Sequence, residues 1–211
     1  MTNTEKEGEF AIRARRMRKV FFPPGLGEKV AVKDVSIAIN RNNCFGLLGH
    51  NGAGKTTMIN MLTGLFEPTA GDSWINGFSI KSAMDKIFPE MGVCPQHDVL
   101  WDDLNAQEHL LFYGRLKGFS GTVLTKMVNK AMDNVQLDEH RWKLVGEFSG
   151  GMKRRLSTAC SLIGDPSIVY MDEPSTGLDP ASRHRLWNVV QESKSNKTII
   201  LTTHSMEEGE Y

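Results

Sequence analysis

Gly49-His-Asn-Gly-Ala-Gly54-Lys55-Thr56 fits the pattern G-x-x-x-x-G-K-[S/T]. The chemistry accounts for the composition. Glycines let backbone N–H groups close around a phosphate with no Cβ in the way. Lys55 offers a point charge, and the Thr56 hydroxyl suits a hard divalent cation. The surroundings agree with the motif. "NCFGLLG" (43–49) is a short apolar run ending in glycine and reads as a buried strand. A helix is expected from Lys55 to about Thr63, stopping near Gly64. Its N-terminus adds positive potential where an anion would sit.

Working outward, strands are expected at "VAVKDVSIAI" (30–39), "DSWING" (72–77) and "MGVCPQ" (91–96). "SIVYMDEP" (167–174) and "KTIILTTH" (197–204) read as further strands, with a helix between them at "ASRHRLWNVVQES" (181–193). The middle of the chain differs. In "NAQEHLLFYGRLKG" (105–118), Asn105 followed by Glu108 is a capping-box start. A second helix is expected over 122–135. No strand signal interrupts 97–163, so that stretch reads as a helical subdomain inserted into an α/β core formed by 10–96 and 164–211. Strand–helix alternation in the core argues for a mainly parallel sheet. Residues 1–9 are polar and charged and are expected to be a disordered tail.

Lys+Arg and Asp+Glu both number 25 in 211 residues, so no global charge draws the chain to nucleic acid or acidic lipid. No apolar run approaches the roughly 20 residues of a membrane span, and the polar start has no leader-like apolar segment. Cys44, Cys94 and Cys160 are odd in number and far apart, which reads as reduced, mostly buried thiols. The basic run Arg13, Arg15, Arg16, Arg18 and Lys19 reads as a solvated strand face.

Two further segments carry chemistry. "GEFSGGMKRR" (146–155) places Ser149, Gly150 and Gly151 ahead of a basic helix, the layout of a second anion site. Lys153, Arg154 and Arg155 read as a solvated first turn. Asp172 and Glu173 end an apolar strand, where α/β sheets bind ligands. Asp172 is placed to hold Mg²⁺ through water. Glu173 is placed to take a proton from an attacking water.

Phosphate loop, acidic strand end and Gly-Gly helix start, in this order, resemble the nucleotide-binding domain of ATP-binding cassette (ABC) proteins over residues 12–211. The resemblance implies a P-loop NTPase core with a helical insertion, binding ATP and Mg²⁺. Gly49, Asn51, Gly52, Ala53, Gly54, Lys55, Thr56 and Thr57 would then hold the phosphates. Gln96 matches the family's Q-loop glutamine, a Mg²⁺ ligand with Thr56 and Asp172. Phe148-Ser-Gly-Gly-Met152 is similar to the signature L-S-G-G-Q, with Phe for Leu and Met for Gln. Ser175-Thr-Gly-Leu-Asp179 is similar to the D-loop, and His204 to the switch histidine. Phe21, or alternatively Phe22, lies where the family stacks an aromatic on adenine. The implied catalytic set is Glu173, His204 and Lys55.

The family pairs two such domains head to tail, each signature closing on the other's ATP. That explains two phosphate-facing turns in one chain. The implied partners are a second cassette and transmembrane domains at the cytoplasmic face of a membrane, with no nucleic acid. His50, "GVCPQHDVLWDDLNAQEHLLFYGRLKG" and "SGGMKRRLS" resemble the A subfamily, whose members mostly move lipids and sterols. The alternatives are a non-transport ABC ATPase or a nucleotide-binding remnant without turnover. The family usually continues for one or two strands and a short helical tail beyond the switch histidine. The chain stops at Tyr211, so the resemblance implies that the C-terminal part of the core is missing.

Overall fold

The alternating, β-branched stretch at 30–39 forms a strand that pairs with the residues before it. In the computed structural model, which describes residues 9–25, 27–194 and 196–204, β1 (Phe10–Phe21) and β2 (Lys29–Asn40) form a long antiparallel hairpin. β3 (Cys44–Leu48) follows, then the phosphate loop and α1 (Lys55–Leu62). β4 (Ala70–Ile75) and the short β5 (Phe78–Ser79) complete a four-stranded antiparallel sheet in the order β2-β1-β4-β5. Beyond α2 (Met84–Ile87) and β6 (Met91–Cys94) come three helices, α3 (Ala106–Leu116), α4 (Gly121–Asn134) and α5 (Gly150–Leu162). β7 (Ile168–Asp172), α6 (Pro180–Ser193) and β8 (Thr198–Thr203) close the described chain.

The second sheet has the order β3-β8-β7-β6 and is wholly parallel. This is the expected parallel sheet. The antiparallel sheet beside it is not signalled by strand–helix alternation. α1 lies between the two sheets: Met58, Met61 and Leu62 share one apolar cluster with Ile12, Met17 and Ile39 on one side and Tyr170 and Ile200 on the other. α6 covers the opposite face, where Trp187 and Val190 pack on Val169, Met171, Ile199 and Leu201. β7, flanked by two strands and covered on both faces, is buried at all five positions, as interior parallel strands are. Among the described residues β3 pairs with β8 alone, and Leu48 is 45% exposed.

The basic run lies on β1, with Arg15 and Arg16 exposed and Arg18 reaching Glu28 at 3.4 Å. A bulge interrupts it: Arg16 adopts φ 50, and the register shifts between Ala14 and Met17. Gly71 faces that bulge. A Cβ there would fall 2.2 Å from the Arg16 carbonyl oxygen, so only glycine fits. Cys94 and Cys160 are buried free thiols and Cys44 is half-buried. The tail expected over residues 1–9 lies outside the described residues apart from Glu9, as do residues 205–211. No helix among the described residues is long and apolar enough to cross a membrane.

The three middle helices build their own apolar cluster, with Leu110, Leu124, Val128, Met132, Leu156 and Ala159 at its centre. The capping box at Asn105 and Glu108 forms in both directions, at 2.9 and 2.8 Å. His109, fully buried, ties the loop after β6 to α3. Its Nε2 accepts from the Trp101 N–H at 2.9 Å while Nδ1 lies 2.8 Å from the Asn105 carbonyl oxygen. Burial lowers its pKa below 6.5. The folded state therefore resists the proton that the unfolded chain accepts. This contribution to stability is full above about pH 6.5 and is lost as pH falls from there toward the folded pKa. The melting temperature should drop more between pH 7.5 and 5.5 in the wild type than in His109→Gln. Equal drops would remove His109 as the titrating group.

Candidate active site

The four parallel strands run the same way, so their carboxyl ends meet at one edge of the sheet. Each end carries residues singled out from the sequence. β3 delivers the phosphate loop, β8 His204, β7 Asp172 and Glu173, and β6 Gln96. The antiparallel sheet supplies the other wall. A cleft of ≈ 340 Å³ opens between them. It is lined by Phe21 and Lys29–Ala31 on one side, by Asn51, Gly52 and Gly54–Thr57 below, and by Gln96 and Glu173 opposite.

The loop is shaped by backbone constraints. Gly54 sits at φ 93, and a Cβ there would lie 2.4 Å from the Ala31 carbonyl oxygen. Glycine therefore lets β2 press on the start of α1. Lys55 is buried, and its Nζ donates to the carbonyl oxygens of Gly49 at 2.7 Å and His50 at 3.3 Å. The same Nζ lies 3.3 Å from Glu173 Oε1. The loop's cation and the strand's carboxylate thus neutralise one another across the cleft.

Glu173 is the hub. Its backbone turns left-handed at φ 44, which aims the side chain away from the line of β7. Its Oε2 accepts from Gln96 Nε2 and from Thr176 Oγ1, each at 3.2 Å, with His204 Nδ1 at 3.7 Å. Asp172 is buried beside it and accepts from the Thr202 hydroxyl at 2.5 Å. The Thr202 hydroxyl in turn accepts from the Glu173 N–H at 2.9 Å. Neighbouring strand β8 thereby fixes both acidic residues, a role the sequence reading assigned to nothing.

Ser149, Gly150 and Gly151 do not line this cleft. Ser149 caps α5, accepting from the Met152 N–H at 3.3 Å. Gly150 is open to space on its Cβ side. Asp179 also lies off the cleft and caps α6, accepting from the Ser182 N–H at 3.0 Å. Its hydrogen bonds to Ser182 lower its pKa. Between the two possible adenine-facing rings, Phe21 lines the cleft, while Phe22 is 73% exposed. Phe21 stands edge-on to Phe66 at 5.5 Å, with Lys19 Nζ 5.2 Å from its ring centre. One expectation is overturned. Arg154 is not in a solvated turn but 3% exposed, because its face of α5 packs onto the strand ends.

A glycine loop under a helix N-terminus, facing two carboxylates across a parallel-sheet edge, defines a phosphate-loop nucleotide-binding domain. The chain belongs to the ABC transporter family, whose sequence profile matches residues 32–176. It is 53% identical over 203 residues to ABC transporter A family member 8 of Arabidopsis thaliana, covering 95% of this chain and 22% of that protein. It is 55% identical over 185 residues to member 6 of the same plant family, covering 87% and 20%. The chain thus spans about a fifth of the length of these relatives. Among solved structures it is similar to an ATP-binding subunit of an ABC transporter, at 26% identity and TM-score 0.82 over 95% of this chain and 82% of that one. A dimeric ATP-binding cassette in a post-hydrolysis state with ADP and Pi shares the fold at 23% identity and TM-score 0.84, over 93% and 89%. The chain is an ATPase cassette of the A-subfamily type.

Proposed function

We propose that this cassette binds MgATP in the cleft beneath Phe21 and hydrolyses it with Glu173 as general base, completing its site with a second cassette. The observation that carries this reading is the Glu173 carboxylate, held in the cleft by Lys55, Gln96 and Thr176. When phosphates enter the loop, Lys55 exchanges its Gly49, His50 and Glu173 partners for phosphate oxygens. That exchange frees Glu173 Oε1 for a water. Glu173 then takes a proton from that water as the water oxygen attacks the γ-phosphorus and the bond from the γ-phosphorus to the bridging oxygen breaks, releasing ADP and phosphate. His204, 3.7 Å from Oε2, contacts the γ-phosphate and stabilises its developing charge.

The donors at the loop fit Mg²⁺. The Thr56 hydroxyl, the Asp172 carboxylate and the Gln96 amide oxygen are hard ligands, and Gln96 engages Glu173 through its nitrogen, not its oxygen. Mg²⁺ held by these residues would supply positive charge to offset that of the outer phosphates.

Ser149 and the N–H groups of Gly150 and Gly151, which do not line their own cleft, serve the γ-phosphate held by a second cassette. The relatives' names and the A-like strings support transport at the cytoplasmic face of a membrane, with lipid as cargo. Val99, Trp101 and Phe112 form an exposed apolar patch in and beside the loop that follows Gln96. Transmembrane domains docked there would sense Gln96 directly.

Phosphate release by the 211-residue chain tests completion of the site by a second copy. The rate per molecule should rise with protein concentration and level off once dimers dominate. A rate per molecule that stays constant over a hundredfold dilution contradicts it.

A further inference from the structure

We propose that Arg154 is a positioning residue that sets the distance and angle between Gln96 and Glu173 and ties both to the helix bearing Ser149–Gly151. The proposal rests on Glu173 acting as the base. Arg154 is the fifth residue of α5, one turn in from the Ser149 cap. Its guanidinium is buried and spends its donors almost entirely on backbone. Nε donates to the Pro174 carbonyl oxygen at 2.6 Å. Nη1 donates to the Pro95 and Gln96 carbonyl oxygens at 2.6 and 3.3 Å and to Asp98 Oδ1 at 3.0 Å. Nη2 donates to the Asp172 and Glu173 carbonyl oxygens at 3.2 and 3.4 Å.

These acceptors form two groups. Pro95, Gln96 and Asp98 belong to the loop after β6. Asp172 ends β7, and Glu173 and Pro174 follow it. The two strands are hydrogen-bonded neighbours through Cys94 and Met171, but their pairing stops there. Past that point Arg154 donates to backbone carbonyls on both segments. Glu173 is already in a left-handed conformation, which needs external support to persist. The planar fork of one guanidinium spans both turns at fixed geometry, which a lysine ammonium cannot do. The Gln96–Glu173 side-chain hydrogen bond at 3.2 Å is then a consequence of where Arg154 holds the two backbones.

Arg154 also makes the connection directional. It is anchored in α5, whose N-terminus carries the proposed second phosphate-facing turn. A shift of that turn on meeting a partner's ATP moves Arg154, and with it the Glu173 backbone. The sequence offers no other buried cation on that helix: Lys153 pairs with Asp102 at 2.9 Å on the surface, and Arg155 turns to the Val135 carbonyl at the end of α4.

The test compares Arg154→Lys and Arg154→Met with Glu173→Gln and the double variants. ATP affinity is read by equilibrium binding, and turnover by phosphate release. Both Arg154 variants should lower kcat at least tenfold while the ATP Kd stays within threefold, because Lys55 and the loop are untouched. In the Glu173→Gln background either substitution should change the residual rate less than twofold, since there is no base left to position. Should Arg154→Met fail to fold, Arg154→Lys decides alone. An unchanged kcat, a parallel loss of ATP affinity, or a full further drop on top of Glu173→Gln would each overturn the proposal. A Glu173→Gln protein with wild-type turnover would instead overturn the general-base reading, so the two failures are distinct.

Discussion

Glu173→Gln should cut phosphate release by a factor on the order of 10²–10⁴, the range a positioned general base supplies, while ATP binding persists and tightens. The loss follows from chemistry, since an amide does not take the water's proton. The gain follows from the ion pair. Glu173 Oε1 sits 3.3 Å from Lys55 Nζ, where it competes with phosphate for that cation. It also places a negative charge beside the γ-phosphate's own. Two like charges about 5 Å apart near a protein surface repel by roughly 3 kcal/mol at an effective dielectric of 20. Retaining half of that after solvent and Mg²⁺ screening corresponds to about tenfold in affinity. Gln at 173 can still accept from Gln96 and Thr176, so the fold should be preserved. Equilibrium binding of a fluorescent ATP analogue and a phosphate-release assay check the two halves. A variant that turns over normally, or binds ATP more weakly, contradicts this account.

Lys55→Met should abolish measurable ATP binding, weakening it a hundredfold or more. One charge-assisted hydrogen bond to phosphate is worth about 1.5–3 kcal/mol, and an ammonium placed between two phosphates makes more than one. The fold should tolerate the change. Removing one partner of a buried ion pair costs several kcal/mol where the remaining charge is sealed off. Here the remaining carboxylate borders an open cleft and keeps its donors Gln96 and Thr176, so a cost below about 2 kcal/mol is expected. Melting temperature and nucleotide affinity therefore separate. A Lys55→Met protein that is well folded and still binds ATP at wild-type strength would show that the loop is not the phosphate site.

What could be read in the sequence was local. The phosphate loop, the acid pair after an apolar strand and the cap at Asn105 each depend on residues within a few positions of one another, and all took the expected conformation. The parallel sheet followed from strand–helix alternation. What could not be read was set by distant contacts. The antiparallel sheet depends on β1 finding β4 some sixty residues later through a bulge matched to Gly71. Arg154 looked solvated because a basic residue in a first helical turn usually is. Its burial needs carbonyl groups from two loops that the sequence does not bring together. The Lys55–Glu173 pair joins positions 118 residues apart, and only the strand order places them face to face.

The turn at Ser149, proposed to face a second cassette's phosphate, lies outside the chain's own cleft, and its Gly150 faces open space. Sedimentation of the Glu173→Gln protein with and without MgATP tests its role most directly. A second copy supplying Ser149–Gly151 predicts a monomer without nucleotide or with ADP and a dimer with ATP. The dimer should be lost when Ser149→Arg blocks the helix N-terminus. A Glu173→Gln protein that binds ATP yet stays monomeric at every concentration, or a dimer indifferent to Ser149→Arg, would contradict the shared site.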